Sequence, residues 1–248
     1  MRAFALAALL WKETRQIGRN RGALFTATFL PAVLLLLAPV SLLVQLQLPN
    51  SNSLRQMRAV PLAGLSSVAS PTELLLQVIY PVLFIMGGML LPAMTTSYAI
   101  VAERERQTLE LLVSLPVSVK EVLATKLLAV LIVTALVGLP YVAVFVTLLM
   151  VLGVAGPPAI PILLAPFVSA VVVSISASLL VTLLARDFRT ANNLSGAFIV
   201  PVLIISSVIV ATVGGAVRVY ALSAVLIALA GLVLLLATRW VTFERYLE

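Results

Sequence analysis

The sequence predicts an all-α membrane protein of six transmembrane helices, with both termini in the cytoplasm. Three observations carry that prediction. Only 10% of the 248 residues are charged while 62% are hydrophobic, and the mean hydropathy is +1.19; soluble domains carry roughly a quarter charged residues. The few charges fall in the gaps between long charge-free runs. Lys and Arg lie overwhelmingly on one side of the alternating topology that those runs define.

The runs give the elements in order. A helix needs about 20 apolar residues to cross a bilayer. Gly22–Leu54 holds the first span and Leu74–Ala102 the second. Leu127–Ala185 runs 59 residues without a charge and is broken by Gly153-Val-Ala-Gly-Pro-Pro-Ala-Ile-Pro161, a turn signal, so it holds two spans. Thr190–Val217 and Val219–Thr238 hold the fifth and sixth. The expected spans are residues 24–46, 76–101, 127–151, 162–185, 194–216 and 219–238, within one membrane domain covering 1–248. Backbone groups in lipid must be satisfied internally, so Pro92, Pro140 and Pro201 are expected as kinks inside spans rather than as ends. No internal repeat is visible, and the polar segment Gln47–Glu73 is too short to be a domain.

Orientation follows from the positive charges. With the N-terminus inside, thirteen of the sixteen Lys and Arg are cytoplasmic and only Arg55, Arg58 and Arg218 lie outside. The tightest connection is between spans five and six, where Gly214-Gly215 and Arg218 must turn within a few residues; a re-entrant hairpin is the alternative there. Ala3–Trp11 has the apolar character of a signal-peptide core. No small-residue cleavage site follows it and Lys12–Arg21 is basic, so the N-terminus is expected to be retained. Lys12, Arg15 and Arg19 share one helical face, opposite Leu6, Leu10 and Ile17, with Trp11 at the border and Phe4 as an exception. That pattern predicts an amphipathic helix in the membrane plane, its basic side chains meeting anionic lipid headgroups.

Composition also excludes chemistry. The chain has no Cys and no His, which removes disulfides, thiol chemistry, the commonest metal ligand and the commonest general base. No buried carboxylate or buried lysine is expected, so an intramembrane enzyme has no acid, base or Ser–Lys pair to work with. A secondary transporter coupled to protons or sodium needs ionisable residues within the membrane, and every Asp and Glu lies at a span boundary or beyond it. The net charge of +7 has a topological role, so nucleic acid is not an expected partner.

One segment resists this plain reading. Ala102-Glu-Arg-Glu-Arg-Gln-Thr-Leu-Glu110-Leu-Leu-Val-Ser-Leu-Pro116-Val-Ser-Val-Lys-Glu121 puts Glu103, Glu105 and Glu110, a third of the acidic residues, into eight positions between two spans. Arg106 and Glu110 are spaced i,i+4, and Glu103 and Arg106 i,i+3, for ion pairs on a helix surface. Leu109, Leu112 and Val113 form an apolar stripe outside the lipid. Pro116 ends that helix. Ser118-Val-Lys-Glu121 reads as a capping box opening the next helix, with Lys126 at its entry to the bilayer. The predicted shape is helix, sharp turn, helix, with a stripe that needs a partner.

The order of those residues, with Glu121 and Lys126 following, closely resembles the signature of ABC-type exporter permeases of the polysaccharide, drug and sodium exporter class. Members carry Glu-x-Glu-x-Gly-Thr-Leu-Glu-x-Leu-Leu, a Pro-Val/Leu-Ser turn, and a Lys opening the third span. Gln107 stands where Gly is usual, a mild departure because Gln is the better helix former. The N-terminal Trp-Lys-Glu-Thr-Arg-Gln is also similar to this class. The motifs cover residues 10–25 and 100–127; the six-span topology covers the whole chain.

The resemblance implies an ATP-driven export permease. Two permease subunits, identical or different, would form the pathway in a cell (inner) membrane of prokaryotic type. Two copies of a separate P-loop ATPase would dock beneath them. Glu103, Glu105, Thr108, Leu109, Glu110, Leu112 and Pro116 would be the coupling residues, with the N-terminal amphipathic helix beside them. Arg186-Asp187-Phe188-Arg189 is a lesser contact, or only a topogenic turn. No Gly-x-x-x-x-Gly-Lys-Ser/Thr run surrounds any lysine, so this chain is expected to hold no cofactor, and ATP and Mg would sit on the partner. The alternatives are a membrane anchor or signalling partner of an ATPase that moves nothing, or a secondary transporter.

Within the spans, Ser174, Ser178 and Thr182 recur every four residues in the fourth, Ser206 and Ser207 lie in the fifth, and Gly87 and Gly88 in the second. They are candidates for pathway lining, or for close helix packing, where small residues and hydroxyls are favoured anyway. Met86, Met89 and Met94 read as packing or lipid-facing residues rather than copper ligands. The sparse polarity of the spans suits lipidic or amphiphilic cargo.

Overall fold

A computed structural model describes residues 10–12, 14–15, 21–47, 70–96, 119–184, 188–215 and 217–240. The described residues form helices and short connections, with no strand among them. Six helices are long and apolar enough to cross a membrane. We number them α1 to α6.

Helices α1 and α2 share a design. The first runs as an α-helix over Arg21–Ala32, a π-helical turn over Val33–Leu37 and an α-helix over Ala38–Gln47. The second runs through Pro71–Leu74, a π-helical turn over Leu75–Ile79 and Tyr80–Thr96. In each, a proline (Pro39 or Pro81) lies two residues beyond the π turn. A proline has no N–H for the carbonyl four residues earlier, and that carbonyl (Leu35 or Gln77) lies within the π turn. Wider i→i+5 bonding carries the register past it, as in Ala38 N–H to Val33 O and Tyr80 N–H to Leu75 O.

The start of α2 has its own cause. Ser70 accepts from the Glu73 backbone N–H at 3.2 Å, while Glu73 Oε2 accepts from the Ser70 N–H at 3.3 Å. With Pro71 at the first helical position, this is a full capping box. The helix therefore begins before the charge-free run does.

The remaining helices are α3 (Val119–Val151), α4 (Ala159–Leu184), α5 (Phe188–Thr212) and α6 (Val217–Trp240). Pro92, Pro140 and Pro201 lie inside α2, α3 and α5, as do Pro31 in α1 and Pro166 in α4. The α3–α4 connection turns at Gly153, whose φ of +66° favours glycine.

Helices α4 and α2 form the centre. Buried residues make up 67% of the spanning window of α4 and 56% of that of α2, against 33% or less in the other four. One core cluster joins Leu35, Tyr80, Phe84, Leu91, Phe145, Leu163 and Phe167. Tyr80 meets Phe145 edge-on, with ring centroids 5.1 Å apart, and its hydroxyl donates to Pro39 O at 3.3 Å. A second cluster joins Ile85 and Met89 of α2 to Ala170 and Val173 of α4, Val202 and Val210 of α5, and Leu222 and Leu226 of α6.

Glycines set the closeness of the centre. A Cβ at Gly88 would lie 2.8 Å from the backbone oxygen of Phe167, and one at Gly138 would lie 2.5 Å from Phe167 Cζ. A Cβ at Gly87 would meet Leu35 Cδ2 at 2.5 Å. Of the two readings of Gly87 and Gly88, close packing is the one their contacts describe.

Two basic residues are fully buried. Lys126 is fully buried, which corrects the expectation that no lysine is buried. It lies two turns inside α3, on the face that also buries Ala129, Val130 and Val133. Arg218 is also fully buried. It sits in the first turn of α6, and its Nε donates to the carbonyl of Val213, just past the end of α5, at 2.7 Å. Cations favour helix C-terminal carbonyls, so α6 supplies the cap for α5. Gly215, with φ +69°, makes the turn between them.

Candidate functional site

The charged segment lies outside the described residues, and with it Glu103, Glu105, Thr108, Leu109, Glu110, Leu112 and Pro116. The same holds for Ser118 of the expected capping box, for Arg186 and Asp187, and for most of the N-terminal basic stretch. Phe188 and Arg189 are described only as the first backbone positions of α5.

The flanks of the segment are described. At the end of α2 that leads into it, Thr95 and Thr96 are buried, and Thr95 donates to Leu91 O at 2.7 Å. On the far flank α3 begins at Val119, and Thr125 donates to Glu121 O at 2.7 Å. Leu10 packs on Ala129, Val130 and Val133 of α3, while Trp11, Lys12 and Arg15 are exposed. The described turn of the N-terminal segment thus rests on the helix into which the charged segment feeds.

The hydroxyls of the spans fall into two groups. Most close back on their own helix: Ser176 on Val172 O, Ser178 on Ser174 O, Ser206 on Val202 O and Ser223 on Val219 O, at 2.7–2.9 Å. Ser174 is different, since it crosses from α4 to the Met89 carbonyl of α2 at 2.7 Å. Each of these hydroxyls donates to a backbone carbonyl, which is helix-packing chemistry rather than the arrangement of a nucleophile. Ser207 faces outward, and the side chain of Thr182 lies outside the description.

Ser174 and Ser178 also line a small cavity between α2, α4 and α5, together with Met89, Ala93, Ser195 and Ile199. The space open to the centre of a water molecule is about 10 Å³. That is about one water and far below the roughly 300 Å³ at which small-molecule sites begin. Ser195 was not among the hydroxyls singled out from sequence. The available signal was its place in the polar run Asn192-Asn193-Leu194-Ser195 at the start of an apolar span.

Met89 is buried between α2 and its neighbours, in the apolar cluster around Ile85 and Leu222. Among the described residues, no group of three or more His, Cys, Asp or Glu is placed to hold a metal ion.

The family model described as ABC-2 family transporter protein matches residues 7–223. No curated protein and no solved structure matches the chain.

Proposed function

The chain belongs to the ABC-2 transporter family, as a multi-pass membrane permease, and on that premise we propose how it works. Such permeases act with an ATP-binding subunit. Here the chain pairs with a second permease subunit to form an export pathway, and two copies of a separate P-loop ATPase dock on the cytoplasmic face. The observation that carries this reading is the extent of the match, which covers the charged segment and reaches into the sixth helix.

The coupling element is the segment between α2 and α3. Glu103, Glu105 and Glu110 present charge to the ATPase, while Leu109 and Leu112, beside Thr108, insert the apolar stripe. Pro116 turns the chain back into α3. Arg186 to Arg189 between α4 and α5 is the secondary contact. Closure of the ATPases on ATP pushes this segment and tilts the helices it joins, changing which side of the membrane the pathway faces. ATP and Mg stay on the partner. Both termini lie in the cytoplasm of a prokaryotic cell, and the low polarity of the spans favours an amphiphilic cargo.

The test is a Glu103→Ala or Glu110→Ala exchange in the reconstituted complex. ATP hydrolysis should lose its stimulation by cargo and transport should fall, with the permease still folded. Unchanged stimulation and transport would remove the coupling assignment. Purification of the chain in mild detergent should bring down a P-loop ATPase; a chain that co-purifies with none has no motor, and the reading as an exporter fails.

A further inference from the structure

The cavity between α2, α4 and α5 has a polarity that its size makes specific. Ser174 and Ser178 have already placed their protons, on Met89 O and Ser174 O. Each hydroxyl keeps lone pairs, so towards the cavity both act only as acceptors. Ser195, from α5, lines the same space and is 8% exposed. Among the described residues its hydroxyl makes no hydrogen bond, although most of the span serines bond back to their own helices.

A mostly buried hydroxyl is normally met by a hydrogen-bond partner, from protein or ordered water. The cavity offers one donor, from Ser195, and two acceptors, from Ser174 and Ser178. A water molecule is the complement of that set. It gives two protons and accepts one, and buried waters typically make about three such bonds. A metal cation fits less well, because three neutral hydroxyls supply no charge to balance it. Cargo is excluded by volume.

We propose that this cavity is a binding site for a single internal water, which joins Ser195 of α5 to Ser174 and Ser178 of α4. The α4–α2 contact is then a direct hydrogen bond, whereas the α4–α5 contact at the same level passes through water. This proposal does not depend on what the protein transports.

The test uses the full chain in lipid nanodiscs. A high-resolution map should show a density peak within hydrogen-bond distance of Ser174 Oγ, Ser178 Oγ and Ser195 Oγ. An empty cavity, or a Ser195 hydroxyl turned onto its own helix, overturns the proposal. The Ser195→Ala variant gives a second readout with opposite signs. If water is bound, losing its donor lowers the melting temperature, by about 2–4 °C for a loss of 1 kcal/mol in a chain of this size. If the cavity is dry, removing an unpaired hydroxyl leaves the melting temperature unchanged or raises it, and the proposal fails. Because Ala is smaller than Ser and favours helix, the variant keeps the fold, and neither readout requires transport activity.

Discussion

The α2–α4 seam and the α5 flank meet at Ser174, yet they are held in different ways. Along the seam, Gly88 lets the backbone of Phe167 approach until no Cβ fits, and Ser174 bonds directly to Met89 O. Along α5, Gly196 has nothing within 4 Å of where its Cβ would be, and Ser195 faces a cavity. Only 17% of the spanning window of α5 is buried, against 67% in α4. In lipid there is little hydrophobic drive between helices, so closeness and hydrogen bonds must supply the association. The seam has both. The flank packs at fewer positions, Ala191 against Val181 of α4 and Val202 and Val210 in the second core cluster, and adds a charged hydrogen bond at its end, where Arg218 takes the Val213 carbonyl. The difference separates a closely packed centre from a flank with fewer buried positions.

The strongest way to break this contrast is to crowd the seam. Gly88→Leu would drive a side chain into the Phe167 backbone, which cannot rotate away as a side chain can. Overpacking of this kind costs about 1–3 kcal/mol for a few methylenes, and a rigid neighbour puts this case at or above the top of that range. The purified variant should show a large fall in melting temperature or fail to accumulate. A wild-type melt for Gly88→Leu would mean that α2 and α4 are free to separate. Gly87→Ala is milder, because its Cβ would meet a side chain, Leu35 Cδ2 at 2.5 Å and Cγ at 2.7 Å, rather than backbone.

Next in size is the tie at the end of α5. Arg218→Ala removes a charged donor from the Val213 carbonyl, an interaction of about 1.5–3 kcal/mol. Amide exchange should accelerate first in the last turn of α5, around residues 209–213, and leave the α2–α4 seam protected. Equal acceleration along both would show that α5 and the seam open as one unit. Ser174→Ala is smaller. Interhelical hydrogen bonds of membrane helices average about 0.6 kcal/mol and reach about 1.7, so the melting temperature should fall slightly. Ser206→Ala, which removes only a bond within α5, should fall less.

The sequence made the six helices legible because lipid forbids charges and unsatisfied backbone, and both constraints show in the order of residues. Charge alone leaves local starts and burial unread. Glu73 marks the edge of a charge-free run and yet belongs to the first turn of α2, because the Ser70-Pro-Thr-Glu73 box starts the helix ahead of that run. Lys126 was placed at the bilayer entry, and its burial depends on packing against neighbours that no local pattern states. The hydroxyls were the hardest to read. A Ser in a span can always close on the carbonyl four residues back, as Ser206 does, so its presence does not say whether it faces a cavity. Ser195 and Ser206 are both buried hydroxyls of α5, yet only Ser206 bonds back to its own helix, while Ser195 lines the cavity. The family signature was legible for a different reason. In the proposed transporter the charged segment meets the ATPase, and a contact of that kind constrains residue order.

The smallest expected effect has the opposite sign and tests the flank most directly. Gly196 is an exposed residue inside α5, with open space around its Cβ position. A glycine in a helix interior is less stable than alanine by roughly 0.5–1 kcal/mol, because it loses more backbone freedom on folding. With nothing to collide with, Gly196→Ala should therefore raise the melting temperature slightly, whereas the same change at Gly88 should lower it. The two substitutions add one methyl each, so only the surroundings differ. A fall at Gly196 would show that this face of α5 is closely covered in the assembled protein. In that event the flank, like the seam, is a packed surface, and the contrast belongs to the single chain rather than to the working transporter.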